Sequence, residues 1–293
     1  MMARLRRAID EATRTLTDAG VASARTDAEE LAAHVAGTSR GRLPILDVVG
    51  DEFFGRYAEL VAERAKRIPL QHLIGTAAFG PLNLGVGPGV FIPRPETEAL
   101  LEWAVAQRLP AEPSALRPNG SSPPLIVDLC TGSGALAAAL ASHVPSARVV
   151  GIDISADALR YASRNTAGTS VELRRGDVRD PLLFDDLDGR VDLVVANPPY
   201  LPDHAELEPE VAEHDPPQAL FGGPDGTSII AAVLVLAGRW LNRGGLLAIE
   251  HDDPASATVL GMIQGAKLFE EVTARQDFGG TPRFVTARRK ATP

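Results

Sequence analysis

The chain has 293 residues, 45% hydrophobic and 23% charged, which suits two folded bodies with a sizeable core in at least one. A formal net charge of −9 excludes a broad basic face, so no stable nucleic-acid binding is expected, and the single cysteine, Cys130, excludes an internal disulfide and fits the reducing cytoplasm. The most apolar run, residues 229–236, is far short of the ~20 residues that span a bilayer, so no membrane partner is expected either.

The first third reads as short helices. Leu5, Ile9, Ala12 and Leu16 share one face of a helix ending near Gly20. Thr26-Asp27-Ala28-Glu29 has the form of a capping box for a second helix that stops at Gly37. Asp51 is placed to cap a third, in which Phe53, Tyr57, Leu60 and Val61 line one side before Pro69. None of these helices can bury its stripe alone, so residues 1–70 form a small bundle. Arg4, Arg6, Arg7, Arg14, Arg64, Lys66 and Arg67 are assigned to its solvated faces. Residues 71–93 follow as a glycine-rich β-hairpin and linker. A helix then starts at Pro95, with Glu96 and Glu98 at its positive end. Arg94, between two prolines, has its guanidinium fixed by chain stiffness and is a candidate substrate contact. Residues 109–124, rich in Pro, Ser, Asn and Gly, form a surface connection.

Within residues 94–293, from Leu125 on, apolar strands alternate with helices, the pattern of a doubly wound α/β sheet. Strands are expected at 125–129, 149–153, 171–173, 191–196 and 246–250, with a terminal pair near Val272 and Phe284. In such sheets ligands bind where the strand order reverses, at the carboxyl ends of the strands. Cys130-Thr131-Gly132-Ser133-Gly134 is a tight turn between strand and helix, where glycines let the backbone approach a ligand. Asp153, roughly 20 residues on, is placed to accept from ribose hydroxyls. Asp177 is a candidate for an adenine amino group and Val178 for its ring. Asp128 either braces the turn or touches the cofactor. Gly132-x-Gly134-x-x-Ala137 also permits a dinucleotide, but that reading leaves Asn197-Pro198-Pro199-Tyr200 without a task.

That tetrapeptide ends a buried strand on prolines that no central strand absorbs. Neither proline has an N–H, so the strand end offers backbone carbonyls, the Asn197 amide and the Tyr200 ring. Such a rigid, acceptor-rich notch suits a planar group carrying an NH2. A methyl donor with an adenosine half gives every one of these features a role.

Together the glycine turn, the strand-end aspartate and Asn197-Pro198-Pro199-Tyr200 resemble the class I S-adenosylmethionine-dependent methyltransferases that act on amide or exocyclic amino nitrogens. Ile92-Pro93-Arg94-Pro95-Glu96-Thr97-Glu98 and the helical N-terminal body narrow the resemblance to the HemK/PrmC family. Leu220-Phe221-Gly222-Gly223-Pro224-Asp225-Gly226 and Ile249-Glu250-His251 match family segments too. The chain departs from the family's usual pattern in having Cys130 for Gly, Val178 for an aromatic residue, Asp215-Pro216 for Glu-Pro and Asp252 for Gly.

The resemblance implies a Rossmann-like methyltransferase domain that methylates the glutamine of the Gly-Gly-Gln motif in class-1 peptide chain release factors. It implies S-adenosylmethionine held by Cys130, Thr131, Gly132, Ser133, Gly134, Asp153, Asp177, Val178 and Asn197, with no metal. It places the Asn197 side-chain oxygen and the Pro198 carbonyl as acceptors for the two amide N–H bonds, with Pro199 and Tyr200 completing the catalytic set. Release-factor recognition then falls to residues 1–70 and the hairpin. A base amino group in nucleic acid, or a ribosomal-protein glutamine, would present the same NH2. His204, His214 and His251 are read as surface or supporting groups.

Overall fold

The computed structural model describes residues 2–46, 50–107, 109 and 123–291, so most of the connection expected at 109–124 lies outside the described residues. The chain divides into two compact units, Met1–Thr76 with Leu207–His214, and Ala77–Glu206 with Asp215–Pro293.

The first unit is a helical bundle of α1 (Met2–Asp18), α2 (Ala24–Val35), α3 (Asp51–Ala65) and α4 (Leu70–Ile74). Leu5, Ile9, Ala12 and Leu16 of α1 are buried against Leu31 of α2 and Phe53, Tyr57 and Val61 of α3, as the periodicity requires. Two local expectations are corrected. The second helix starts at Ala24, so Thr26 lies inside it, and the hydroxyl of Ser23, the residue before it, instead donates to Asp27 Oδ1 at 2.7 Å. Asp51 is the first residue of α3 rather than its cap, and it pairs with Arg4.

Arg64, assigned to a solvated face, is buried. Its Nε donates to Asp27 Oδ2 at 2.7 Å and its Nη1 to the Ile68 carbonyl at 3.1 Å. The reason is electrostatic: Asp27 faces the bundle core, and a buried carboxylate requires a partner. A third partner comes from far along the chain. Leu207–His214 belongs to this unit, and within it the short helix that we label α8 (Pro209–His214) brings Glu210 to 2.9 Å from Arg64 Nη2. Arg67 forks onto the same carboxylate.

The second unit opens with a hairpin, β1 (Thr76–Phe79) and β2 (Leu82–Gly85), followed by α5 (Thr97–Ala106). The main sheet is built from β3 (Leu125–Leu129), β4 (Arg148–Asp153), β5 (Val171–Arg175), β6 (Val191–Ala196), β7 (Leu241–Glu250), β8 (Phe269–Gln276) and β9 (Pro282–Arg289). Their spatial order is β5-β4-β3-β6-β7-β9-β8, with the first five parallel and β9 antiparallel to β7 and β8. Residues of β3 and β6 are buried throughout because helices cover both faces. One face carries α9 (Ser228–Trp240) and α10 (Ser256–Gly265); the other carries α5 and α6 (Ala135–His143). A further helix, α7 (Ala156–Asn165), follows β4, with Ser155 accepting from the Ala158 N–H as its cap. The chain runs outward from β3 to β5, then returns to β6 beside β3, so the order reverses between β3 and β6. The carboxyl ends of those two strands carry the glycine turn and Asn197.

Candidate functional site

The turn after β3 is held from below by Asp128. This carboxylate is buried, and its Oδ2 accepts from the Thr131 hydroxyl at 2.5 Å and the Ala137 N–H at 3.1 Å, so that oxygen braces the turn. Burial raises its pKa to about 7, against the pull of those two donors. Cys130 takes a positive φ of 60°, a left-handed conformation that favours glycine. Burial, with Asp153, Asp128 and Asp177 nearby, pushes its thiol well above its ordinary value, so it stays neutral and is no nucleophile.

The two glycines serve different ends. A Cβ on Gly134 would lie 3.1 Å from Cα and Cβ of Ala162 on α7, so this glycine permits helix packing. Gly132 also has positive φ, yet a Cβ there would meet nothing within 4 Å. It is the glycine with open space beside it. Thr131 and Ser133 are buried and support the turn from within.

Asp153 ends β4 and ties the turn to it: Oδ2 accepts from the Gly132 N–H and Oδ1 from the Ser155 N–H, both at 2.8 Å. Each oxygen keeps a lone pair after these bonds, as acceptance from vicinal hydroxyls requires. Burial raises its pKa, against those backbone donors. Asp177 is differently placed. Arg179 grips it with Nε at 2.9 Å and Nη2 at 2.7 Å, and these bonds hold its carboxyl below the ordinary range. An adenine amino group would share this carboxylate with Arg179. Val178 packs into the core beside Leu183 and Leu187.

At the end of β6, Asn197 donates through Nδ2 to the Thr97 hydroxyl oxygen at 3.1 Å. Pro198 is buried, while Pro199 and Tyr200 are half-buried. The segment 220–226, matched above only as a motif, has a physical task here. Leu201 N–H donates to the Leu220 carbonyl at 2.9 Å, and Gly222 N–H returns to the Leu201 carbonyl at 2.8 Å. A Cβ on Gly222 would lie 2.6 Å from the Pro199 carbonyl oxygen, and one on Gly226 would collide with that of Tyr200. Only glycines let this loop back the notch so closely.

Arg94 is engaged rather than free. Its Nη2 donates to the buried Asp215 at 2.5 Å and its guanidinium lies 4.8 Å from the Phe91 ring centre. The sequence reading gave Glu250 no role. It ends β7, is fully enclosed, and accepts from the Tyr200 hydroxyl at 3.3 Å. Burial raises its pKa to about 7, against hydrogen bonds from Thr97 and Tyr200 and the charge of Arg283. The signal for it was the matched Ile249-Glu250-His251. His251, too, is fully buried, and burial lowers its pKa. Among the described residues no three His, Cys, Asp or Glu side chains group as a metal site would require.

Residues 7–75 match the PrmC N-terminal domain and residues 126–213 a methyltransferase domain. A crystal structure of a methyltransferase from Pyrococcus furiosus shares the fold, with a TM-score of 0.51 over 80% of this chain and 98% of that one at 16% identity. The 4-amino-L-phenylalanine/4-methylamino-L-phenylalanine methyltransferase of Streptomyces pristinaespiralis is 40% identical over 92% of this chain and 91% of its own length. The release factor glutamine methyltransferase of Mycobacterium tuberculosis is 61% identical over 97% of this chain and 91% of its own. Identity at that level spans both the helical bundle and the sheet with its notch, and the chain belongs to the release factor glutamine methyltransferase family.

Proposed function

We propose that this chain moves a methyl group from S-adenosylmethionine to the side-chain amide nitrogen of a glutamine, the one in the Gly-Gly-Gln motif of class-1 release factors. The observation that carries the reading is the orientation of Asn197. Its Nδ2 is spent on Thr97, which leaves Oδ1 as the acceptor that the notch presents.

The residues present fit the cofactor. Open space beside Gly132 admits the group, and the spare lone pairs of Asp153 suit its ribose hydroxyls. The Cys130–Gly134 backbone would hold the amino-acid end, and Asp177 with Val178 the adenine end. When bound, S-adenosylmethionine supplies a methyl carbon on a positively charged sulfur, an electrophile that needs no acid to activate it.

An amide nitrogen is a poor nucleophile because its lone pair is delocalised into the carbonyl. The notch compensates by geometry. Asn197 Oδ1 and the Pro198 carbonyl accept the two N–H bonds, which turns the remaining electron density of the nitrogen outward, in line with the transferred carbon. Tyr200 packs its ring on the amide plane. Holding two reactants in such a pose supplies up to ~7–11 kcal/mol of a barrier. The methylated nitrogen is then strongly acidic and gives its proton to solvent or a nearby acceptor, so no strong base is required at the outset. A neutral, half-buried Cys130 accords with that.

The Streptomyces pristinaespiralis relative carries an aromatic amine in its name, so this family's notch is not restricted to amides. The higher identity to a release factor enzyme favours glutamine here. Incubating the enzyme with labelled S-adenosylmethionine and a purified release factor, then mapping the product by mass spectrometry, tests the proposal. One methyl on the Gly-Gly-Gln glutamine is expected, with transfer lowered ~10²–10³-fold in Asn197→Ala. Methyl found elsewhere, or Asn197→Ala turning over at the parent rate, refutes it.

A further inference from the structure

Resting on the reading that the Cys130–Gly134 backbone holds the cofactor, we propose that Asn165 is a positioning residue for S-adenosylmethionine binding, its side-chain amide locking the glycine turn through the Ser133 carbonyl. A turn built on glycine is loose by nature, because glycine takes left- and right-handed backbone conformations with similar ease. The peptide between Ser133 and Gly134 is the vulnerable one, since Gly134 sits at φ 80° and has no side chain to resist rotation. Two hydrogen bonds hold that peptide, one at each edge. From inside the turn, the Gly134 N–H donates to the Thr131 carbonyl at 2.8 Å. From outside it, Asn165 Nδ2 donates to the Ser133 carbonyl, also at 2.8 Å.

Asn165 is itself held in place. It is the last residue of α7, and its Oδ1 accepts from the Gly85 N–H at 2.8 Å while Nδ2 donates to the Gly85 carbonyl at 3.0 Å. A neighbouring strand would pair with Gly85 in the same way. These contacts fix the orientation of the amide. Turned over, it would set its oxygen against two carbonyls and its NH2 against an N–H.

The surface of α7 brings the two partners of Asn165 together. Gly85 and Gly87, two residues apart on the chain leaving β2, lie against Asn165 and Tyr161, four apart on the helix. Two steps of extended chain and four of helix both cover roughly 6–7 Å, so this segment runs antiparallel along α7 with glycine at each crossing. A Cβ on Gly87 would lie 2.5 Å from the Tyr161 hydroxyl oxygen. Gly134 meets the adjacent row of the same helix, Ala162 and Thr166. Asn165 stands beside both rows. Its oxygen and one hydrogen go to Gly85, which suffices to anchor the segment after β2. The second hydrogen goes to the turn, and the anchor alone gives it no reason to be there.

The test uses the full-length enzyme with an intact release factor, comparing Asn165→Ala, Asn165→Asp and Asp153→Ala. Asn165→Asp keeps an acceptor for the Gly85 N–H but, ionised, has no hydrogen for Ser133; Asn165→Ala has neither. Both should raise the KM and the calorimetric Kd for S-adenosylmethionine about tenfold, the loss of one neutral hydrogen bond. The kcat at saturating cofactor and the KM for release factor should change by less than about twofold, because the lost contact serves cofactor binding alone. In the cofactor-free enzyme, hydrogen exchange should quicken over residues 130–136 in both variants, and over residues 84–88 chiefly in Asn165→Ala. Parent cofactor affinity in Asn165→Ala overturns the proposal. So does an Asn165→Asp that binds like the parent while Asn165→Ala does not, since the Gly85 anchor would then be the contact that matters. If Asp153→Ala also bound S-adenosylmethionine at parent affinity, the reading of the cofactor site would fail and this proposal with it. That result is distinct from a weakened Asp153→Ala beside an unaffected Asn165→Ala, which sinks the role of Asn165 only.

Discussion

Glu210 joins a segment that follows the notch to a body at the other end of the sequence, and replacing it by alanine isolates that link. The carboxylate takes Arg64 Nη2 at 2.9 Å and the Arg67 guanidinium. Breaking one side of a buried pair costs ~3–5 kcal/mol when the surviving charge is stranded. Here Arg64 retains Asp27 at 2.7 Å and the Ile68 carbonyl at 3.1 Å, so the cost falls to about 1–3 kcal/mol. For a unit of ~60–100 residues each kcal/mol is worth about 4–8 °C, so melting of the first unit should drop by roughly 5–20 °C. Hydrogen exchange over Leu207–His214 should accelerate more than over α1. The sign of the pH effect follows from the pKa. Burial alone would raise it, but hydrogen bonds from Arg67 and Arg64 hold Glu210 at about 2. The stability it contributes is complete above the ordinary carboxylate pKa and is lost as pH falls from there towards 2. Glu210→Gln should flatten that part of the acid limb, read by circular dichroism against pH. A variant with parent melting, parent exchange and an unchanged acid limb would refute the link.

Asp153→Ala should weaken S-adenosylmethionine binding by ~1.5–3 kcal/mol in calorimetry, and unchanged affinity would reject its assignment. Cys130→Gly relieves a left-handed non-glycine residue, worth ~1–2 kcal/mol, against about 0.5–1 kcal/mol of added chain entropy; its melting temperature should stay level or rise, and a clear fall would count against the strain. Asp128, raised to about 7, costs stability as pH climbs from the ordinary aspartate value to 7 and no more beyond it, so Asp128→Asn should shrink the stability lost between pH 5 and pH 8. Deleting residues 1–70 should leave the segment 207–214 without Arg64 and Arg67, and limited proteolysis should cut there first.

Local order was legible because it rests on short-range rules. The buried run of β6 stops at Asn197 because the prolines after it cannot donate to a ladder, and the turn at Cys130–Gly134 follows from positive φ at a strand-to-helix junction. The alternation of strands and helices fixed a doubly wound sheet, and with it the edge on which Asp153 and Asn197 meet. What the tertiary structure alone decided are pairings between residues far apart in sequence. Asp27 reads as an inner residue of a capping box and Arg64 as a solvated charge, yet they pair in a bundle core and draw in Glu210 from Leu207–His214. Arg94 reads as a substrate contact and is claimed by Asp215, and Asp177 is gripped by Arg179. Gly222 and Gly226 gain their reason only from the carbonyls of Pro199 and Tyr200 that they approach. Periodicity records which way a side chain faces; it carries no trace of the partner across the gap, and a buried charge or a crowded glycine is defined by that partner.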